Sequence, residues 1–346
     1  MKEKIILGYA LEEHGNPLTC NITDADFDRL THINVAFGRV MEDQEIDTQV
    51  VGDAEKLIEK LHAGRKGRDV KIVLSLIGEF SKAAETEENR IRLAEACVRV
   101  IKRLNLDGID FDWEFPCVPS NGLQASPNDK ENFTALCKTV REVLDANQPE
   151  GVHWLFTIAA AGDKFYIDFT EMDKVEQYLD YVCLMTYDLK CGFHAITGHH
   201  TNLYLSTGDI IRSSCDTAIK DFVKAGVPAE KLLIGAAFYT RMWENIPNRC
   251  NGYLQLAKTG GGYGPDYTTL VSDYIDKNGY TRYWDDEAKA PYLFNGSTFM
   301  SYDDEQSIAE KCKYIKDNNV GGIFYWQHSY DLTGNLLRVM DENLNQ

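Results

Sequence analysis

Residues 107 to 116 read DGIDFDWEFP, so Asp107, Asp110, Asp112 and Glu114 fall within eight residues whose other members are apolar, aromatic or Gly. In an extended strand the side chains alternate faces, which puts Asp110, Asp112 and Glu114 on one side, about 6.5–7 Å apart in succession. Ile109, Phe111 and Trp113 then share the other side. If the apolar face packs on helices and the acidic face looks into a closed sheet, three carboxyls crowd where water is scarce. Desolvation and like-charge repulsion then raise at least one pKa. A carboxylic acid that keeps its proton near neutrality is a general acid. The structural alternative is a solvated acidic strand or a cation site, but a solvated strand has no use for so many flanking hydrophobes.

The elements that would position these acids can be read from the periodicity. Short β-branched or aromatic runs occur at 4–9, 32–37, 71–76, 108–113, 154–159, 181–186, 232–238 and 322–326. Between them, 50–65, 85–104, 128–146, 210–225 and 305–318 carry apolar residues at three- and four-residue spacing. Alternating strands and helices build a parallel sheet, and eight such units close into a (β/α)8 TIM barrel. The barrel is expected to span 1–240 and 304–346. Residues 241–303, between the last two strands, are too long for a loop and predict a small α+β insertion. The GGGYG run at 260–264 lacks the following Lys-Ser/Thr of a phosphate loop and opens no clear helix.

Composition narrows the partners. With 36 basic against 54 acidic side chains the net charge is −18, which repels nucleic acid and anionic membranes and suits a neutral sugar polymer. The apolar runs are too short to span a bilayer. Nine scattered cysteines show no CxxC spacing, so neither a disulfide framework nor a zinc knuckle is expected. That cysteine usage and the early acids at 12–13 point to a reducing, cytoplasmic compartment, with secretion left open if a signal peptide was removed. His199 and His200 are adjacent, and in extended chain they face opposite ways, so they are not expected to ligate one metal together.

The segment from Asp107 to Pro116 resembles the DxxDxDxE signature of family 18 glycoside hydrolases, the chitinases, with a WEFP continuation similar to their bacterial and animal branch. Four further runs resemble family elements in the family's order: KIVLSLIGEF at 71–80, MTYD at 185–188, GAAFYTRMW at 235–243 and GGIFYWQHSYD at 321–331. The resemblance implies a chitinase acting on chitin or chito-oligosaccharides, with no metal or cofactor and as a monomer. It implies a retaining, substrate-assisted mechanism in place of a protein nucleophile. Under it Glu114 is the general acid, Asp112 orients the acetamido group, Asp110 supports Asp112 from below, and Tyr187 holds the acetamido oxygen. Trp326 becomes the floor under the reacting sugar, Met185 lines the acetamido pocket, and Asp188, Tyr239 and Arg241 supply polar contacts.

Tyr9 and Phe37, at the ends of the first two strands, are candidates for the cleft wall, with barrel-core burial as the structural alternative. Taken alone, Tyr187, Asp188, Trp326 and Met185 would each be ordinary core or cap residues. Three positions depart from the family pattern: Ile77 and Thr240 stand where Gly is usual, and Gln327 stands where an acid often follows the Trp. Glu79 follows Gly78 beside the first of these. The departures bear on subsite preference and pH optimum. The readings that compete with a chitinase are an endo-β-N-acetylglucosaminidase on N-glycan or peptidoglycan chains and a non-catalytic chitin-binding lectin. The presence of Glu114 argues against the lectin.

Overall fold

The computed structural model describes residues 4–12, 20, 22–120 and 122–345. Its strands in chain order are β1 (Ile5–Leu11), β2 (His32–Val40), the short β3 (Ile46–Asp47), β4 (Lys71–Gly78), β5 (Gly108–Phe111), β6 (Leu155–Ala161), β7 (Tyr181–Met185) and β8 (Leu232–Ala237). They continue with β9 (Tyr239–Trp243), β10 (Gly262–Asp266), β11 (Thr281–Asp285), β12 (Ala290–Phe294), β13 (Phe299–Ser301) and β14 (Gly322–Trp326). Strands β1, β2, β4, β5, β6, β7, β8 and β14 pair in parallel with their neighbours in that order. Because β1 pairs with both β14 and β2, the sheet closes into an eight-stranded (β/α)8 barrel.

Helices fill the gaps between barrel strands, and their ends follow local chemistry. Helix Glu87–Leu104 starts at Thr86, whose hydroxyl accepts the Asn89 N–H, and stops at Asn105 in the left-handed region. Glu87 and Glu88 sit in its first turn and Lys102 and Arg103 in its last, each complementing the helix dipole. Its buried stripe of Leu93, Ala94, Cys97, Val98 and Ile101 joins the large core between barrel and helices. No helix among the described residues is long and apolar enough to cross a membrane.

Inside the barrel lies a separate, smaller cluster of Leu7, Tyr9, Ala36, Ala159, Tyr181, Cys183, Leu233 and Phe324. Phe37, Met185, Tyr187 and Trp326 pack on it, each only partly buried, with Met185 and Trp326 ending their strands and Tyr187 two residues beyond β7. The carboxyl end of the strands is where a (β/α)8 barrel forms its sites. Gly235 keeps the space open, since a Cβ there would lie 2.9 Å from the Tyr187 ring and 3.0 Å from Phe324.

The second sheet is antiparallel, in the order β10-β9-β13-β12-β11, and leaves the barrel directly after β8. The GGGYG run enters it as β10. A buried ion pair pins its exit to the barrel. Asp303, two residues past β13, accepts from Lys311 Nζ at 2.7 Å, from Thr201 Oγ1 at 2.9 Å and from the Ala237 N–H at 3.0 Å, and both charged side chains are fully buried. Removing one partner of such a pair leaves an uncompensated buried charge. Asp303→Ala is therefore expected to cost about 3–5 kcal/mol in urea unfolding, and the double variant Asp303→Ala/Lys311→Met to recover a good part of that loss.

Candidate active site

Strand β5 ends at Phe111, so only Asp110 of the three aligned acids lies within the paired ladder. The chain continues extended for another step, with the Asp112 N–H donating to Leu76 O at 2.8 Å. The first acid of the segment stands apart from the others. Asp107, at the opposite end of the strand, accepts from Arg65 at 3.1 Å and from the Ile72 N–H at 2.8 Å, and so closes the bottom of the barrel.

Asp110 is fully buried in the barrel interior and is held by three hydroxyls. Tyr9 donates to Oδ2 at 2.8 Å, Ser75 to the same oxygen at 2.7 Å, and Thr157 to Oδ1 at 2.6 Å. Burial raises its pKa, and these hydrogen bonds pull against that rise. Asp112 follows on the same side, 8% exposed, and its Oδ1 has no hydrogen-bond partner among the described residues. Burial, then the charges of Glu114 and Asp110, push Asp112 well above the carboxylate range. Glu114 reaches solvent, yet protein surrounds it closely enough that desolvation, followed by the charge of Asp188, raises it too. Asp112 and Glu114 therefore titrate as a pair that retains a proton above the pH at which an isolated carboxyl would lose it.

The aromatic floor assembles from distant strands. Trp326 stacks on Phe37 with ring centroids 5.6 Å apart and planes at 18°, and meets Tyr9 at 5.9 Å. Tyr187 packs edge-on against Phe324 at 5.9 Å and Tyr239 at 6.1 Å. The Thr186 hydroxyl ties the end of β7 to Gly235, accepting from its N–H and donating to its carbonyl, both at 2.9 Å. Tyr9 is buried beneath this floor with its hydroxyl on Asp110, a supporting place instead of one on the wall.

Asp188 takes a left-handed backbone (φ 57°), which turns its carboxylate onto Arg241 in a bidentate pair, both contacts 2.6 Å. Burial alone would raise Asp188, but His200 and Arg241 outweigh it and hold the carboxyl well below its usual range. The two adjacent histidines serve different partners. His200 Nδ1 lies 3.5 Å from Asp188 Oδ1, and His199 Nε2 lies 3.0 Å from Asp285 Oδ2.

The departures have visible consequences. The Thr240 hydroxyl donates to Pro265 O at 2.9 Å and so joins β9 to β10, which Gly could not do. Gln327 is buried and accepts from Ser329. Ile77 and Gly78 line a hollow of about 200 Å³ together with Phe37, Leu123, Asp112 and Glu114. A larger hollow, about 800 Å³, lies along residues 39–49 and includes Glu79. Half of its lining residues are acidic, and they include none of the aromatic floor and neither member of the carboxyl pair, both of which border the smaller hollow through Phe37, Asp112 and Glu114.

Reading the sequence missed Thr186, Ser75 and Thr157 as clamps, and Leu123 as a wall. It also missed Tyr263, which is 70% exposed and lies over the guanidinium of Arg241, the partner of Asp188.

The family model for glycosyl hydrolases family 18 matches residues 5–331. The chain is similar to Chitinase A1 of Niallia circulans, 35% identical over 300 residues that are 80% of this chain and 43% of that protein. It is similar to Chitinase B of Serratia marcescens at 27% identity, over 94% of this chain and 78% of the other. The solved structure of a glycoside hydrolase family 18 N-acetylglucosaminidase from Paenibacillus barengoltzii superposes with a TM-score of 0.92 at 48% identity. That match covers 99% of this chain and 100% of the other.

Asp188→Asn removes a negative charge that raises Glu114 and leaves the Arg241 cation unpaired, and both changes favour ionised Glu114. With Glu114 in its expected role of general acid, which works only while protonated, the alkaline limb of kcat/KM should move to lower pH, by about one pH unit, in a pH–rate profile.

Proposed function

The chain belongs to glycosyl hydrolase family 18, and from that premise we propose that it hydrolyses β-1,4-linked N-acetylglucosamine oligomers with retention of configuration. The observation that carries the reading is the carboxyl column. A raised, solvent-reachable Glu114 stands over a buried, raised Asp112 with a free oxygen, beside Tyr187 and the Trp326 floor. Among the described residues the other carboxylates around Glu114 are already committed, since Asp112 and Asp110 lie buried on its inner side and Asp188 is clamped by Arg241. The substrate's own 2-acetamido group serves as the nucleophile.

In the first step Glu114 gives its proton to the glycosidic oxygen as the C1–O bond breaks, and the acetamido carbonyl oxygen bonds to C1. The oxazolinium ion so formed is positive, and its N–H meets the Asp112 carboxyl. Tyr187 directs the carbonyl oxygen toward C1. In the second step the Glu114 carboxylate takes a proton from water, whose oxygen attacks C1 while the bond from the acetamido oxygen opens. Two inversions at C1 give a β-hemiacetal. Trp326 and Phe37 supply the apolar surface that a pyranose face needs.

A second reading has its own support. The 48%-identical relative is an N-acetylglucosaminidase, and the hollow beside the carboxyl pair is small, about 200 Å³. On that reading the first product is the monosaccharide, whereas a chitinase of the chitobiose-releasing type gives the disaccharide.

Chitotetraose and chitopentaose, followed by NMR with products separated by length, are expected to yield shorter β-anomers with the parent enzyme. Glu114→Gln keeps shape and loses the transferable proton, so turnover should fall by about 10³-fold or more with oligosaccharide binding preserved. Tyr187→Phe should lose roughly 10–100-fold. Undiminished turnover by Glu114→Gln, or α-anomers as initial products, would overturn the mechanism.

A further inference from the structure

The wall that rises from Tyr187 carries a ring that the bond-breaking steps do not use. Tyr263 lies on β10, with its ring centroid 3.7 Å from the Arg241 guanidinium carbon and 5.6 Å from the Tyr239 ring. Arg241 is itself immobilised, clamped by Asp188 at 2.6 Å on two nitrogens and donating to Gly261 O at 3.3 Å. The loop is held close as well, since a Cβ on Gly261 would lie 2.3 Å from Trp243. An exposed tyrosine ordinarily rotates freely in water. This one is fixed from behind by a clamped cation while 70% of its surface stays open. Its neighbours Arg241 and Tyr239 bond to Asp188 and pack on Tyr187 respectively, which places the open ring beside the cleft.

A rigid aromatic surface beside a sugar-cleaving centre suits the apolar C–H face of a pyranose. We propose that Tyr263 is the stacking platform for the sugar ring adjoining the reacting N-acetylglucosamine, and thereby sets the chain-length preference of the enzyme. This rests on the reading that the site takes β-linked N-acetylglucosamine chains. The Asp188–Arg241 pair then has two tasks, one toward the reacting sugar and one in holding the platform still.

Calorimetric titration of N-acetylglucosamine, chitobiose and chitotriose into Glu114→Gln, with and without a change at 263, tests it. In that background Tyr263→Ala is expected to weaken chitotriose by about tenfold and the monosaccharide by less than twofold, and Tyr263→Phe to restore chitotriose to within about twofold. An equal loss at every chain length would mean that Tyr263 acts only through Arg241, and would overturn the platform. So would no loss at all, or a failure of Phe to restore binding. If Glu114→Gln itself bound none of the three sugars, the substrate reading would fall, independently of Tyr263.

Discussion

A carboxyl group with no exposed surface in the middle of a closed sheet is the constraint around which this protein is arranged. Asp110 is tolerated there because three hydroxyls, from β1, β4 and β6, converge on its two oxygens. An unpaired charge at that depth would cost several kcal/mol. The three donors come from strands on both sides of β5, so closure of the barrel is itself the condition for housing the acid. With Asp110 held, Asp112 sits above it in a poorly solvated, like-charged position, and Glu114 stands where the column meets solvent. The proton affinity of the upper pair follows from that stacking.

The second arrangement is an ion pair beside the carboxyl column. Arg241 reaches back from the first strand of the small sheet to Asp188 at the end of β7. The pair keeps Asp188 ionised, sets the local field at Glu114 and joins the insertion wall to the barrel floor. The buried Asp303–Lys311 pair does similar work at the other end of the small sheet. Both ends of the small sheet are therefore tied to the barrel by polar clamps, while the floor beside it is fixed by aromatic packing over the barrel's inner cluster.

Much of this was legible in the chain. Alternation in LDGIDFDWE placed Asp110 and Asp112 on one face, although the paired strand stops at Phe111 and the remaining acids ride on the chain that leaves it. The runs at 32–37, 71–76 and 322–326 are barrel strands, and the apolar stripe at 85–104 is a helix from Glu87 to Leu104. Tyr9 shows where reading stopped. A tyrosine at the end of a first strand reads equally as cleft wall or as core, and the deciding contact is with an acid 101 residues away. Tyr263 gave no sequence signal beyond a glycine-rich neighbourhood, because an aromatic in a turn-rich insertion has no period to betray its face.

The sequence by itself determined the local and the periodic: which segments are strand or helix, which side of each is apolar, and which acids share a face. Those properties depend on residues a few positions apart and on the fixed repeat of the backbone. Tertiary structure alone decided which hydroxyls hold Asp110, that Arg241 and not a nearer cation clamps Asp188, and that Ile77 and Leu123 narrow the hollow at Glu114. The clamping contacts join residues 35 to 101 positions apart in the chain. Their geometry follows from closing the barrel and seating the small sheet on it, where burial and the need to satisfy every charge select the partners.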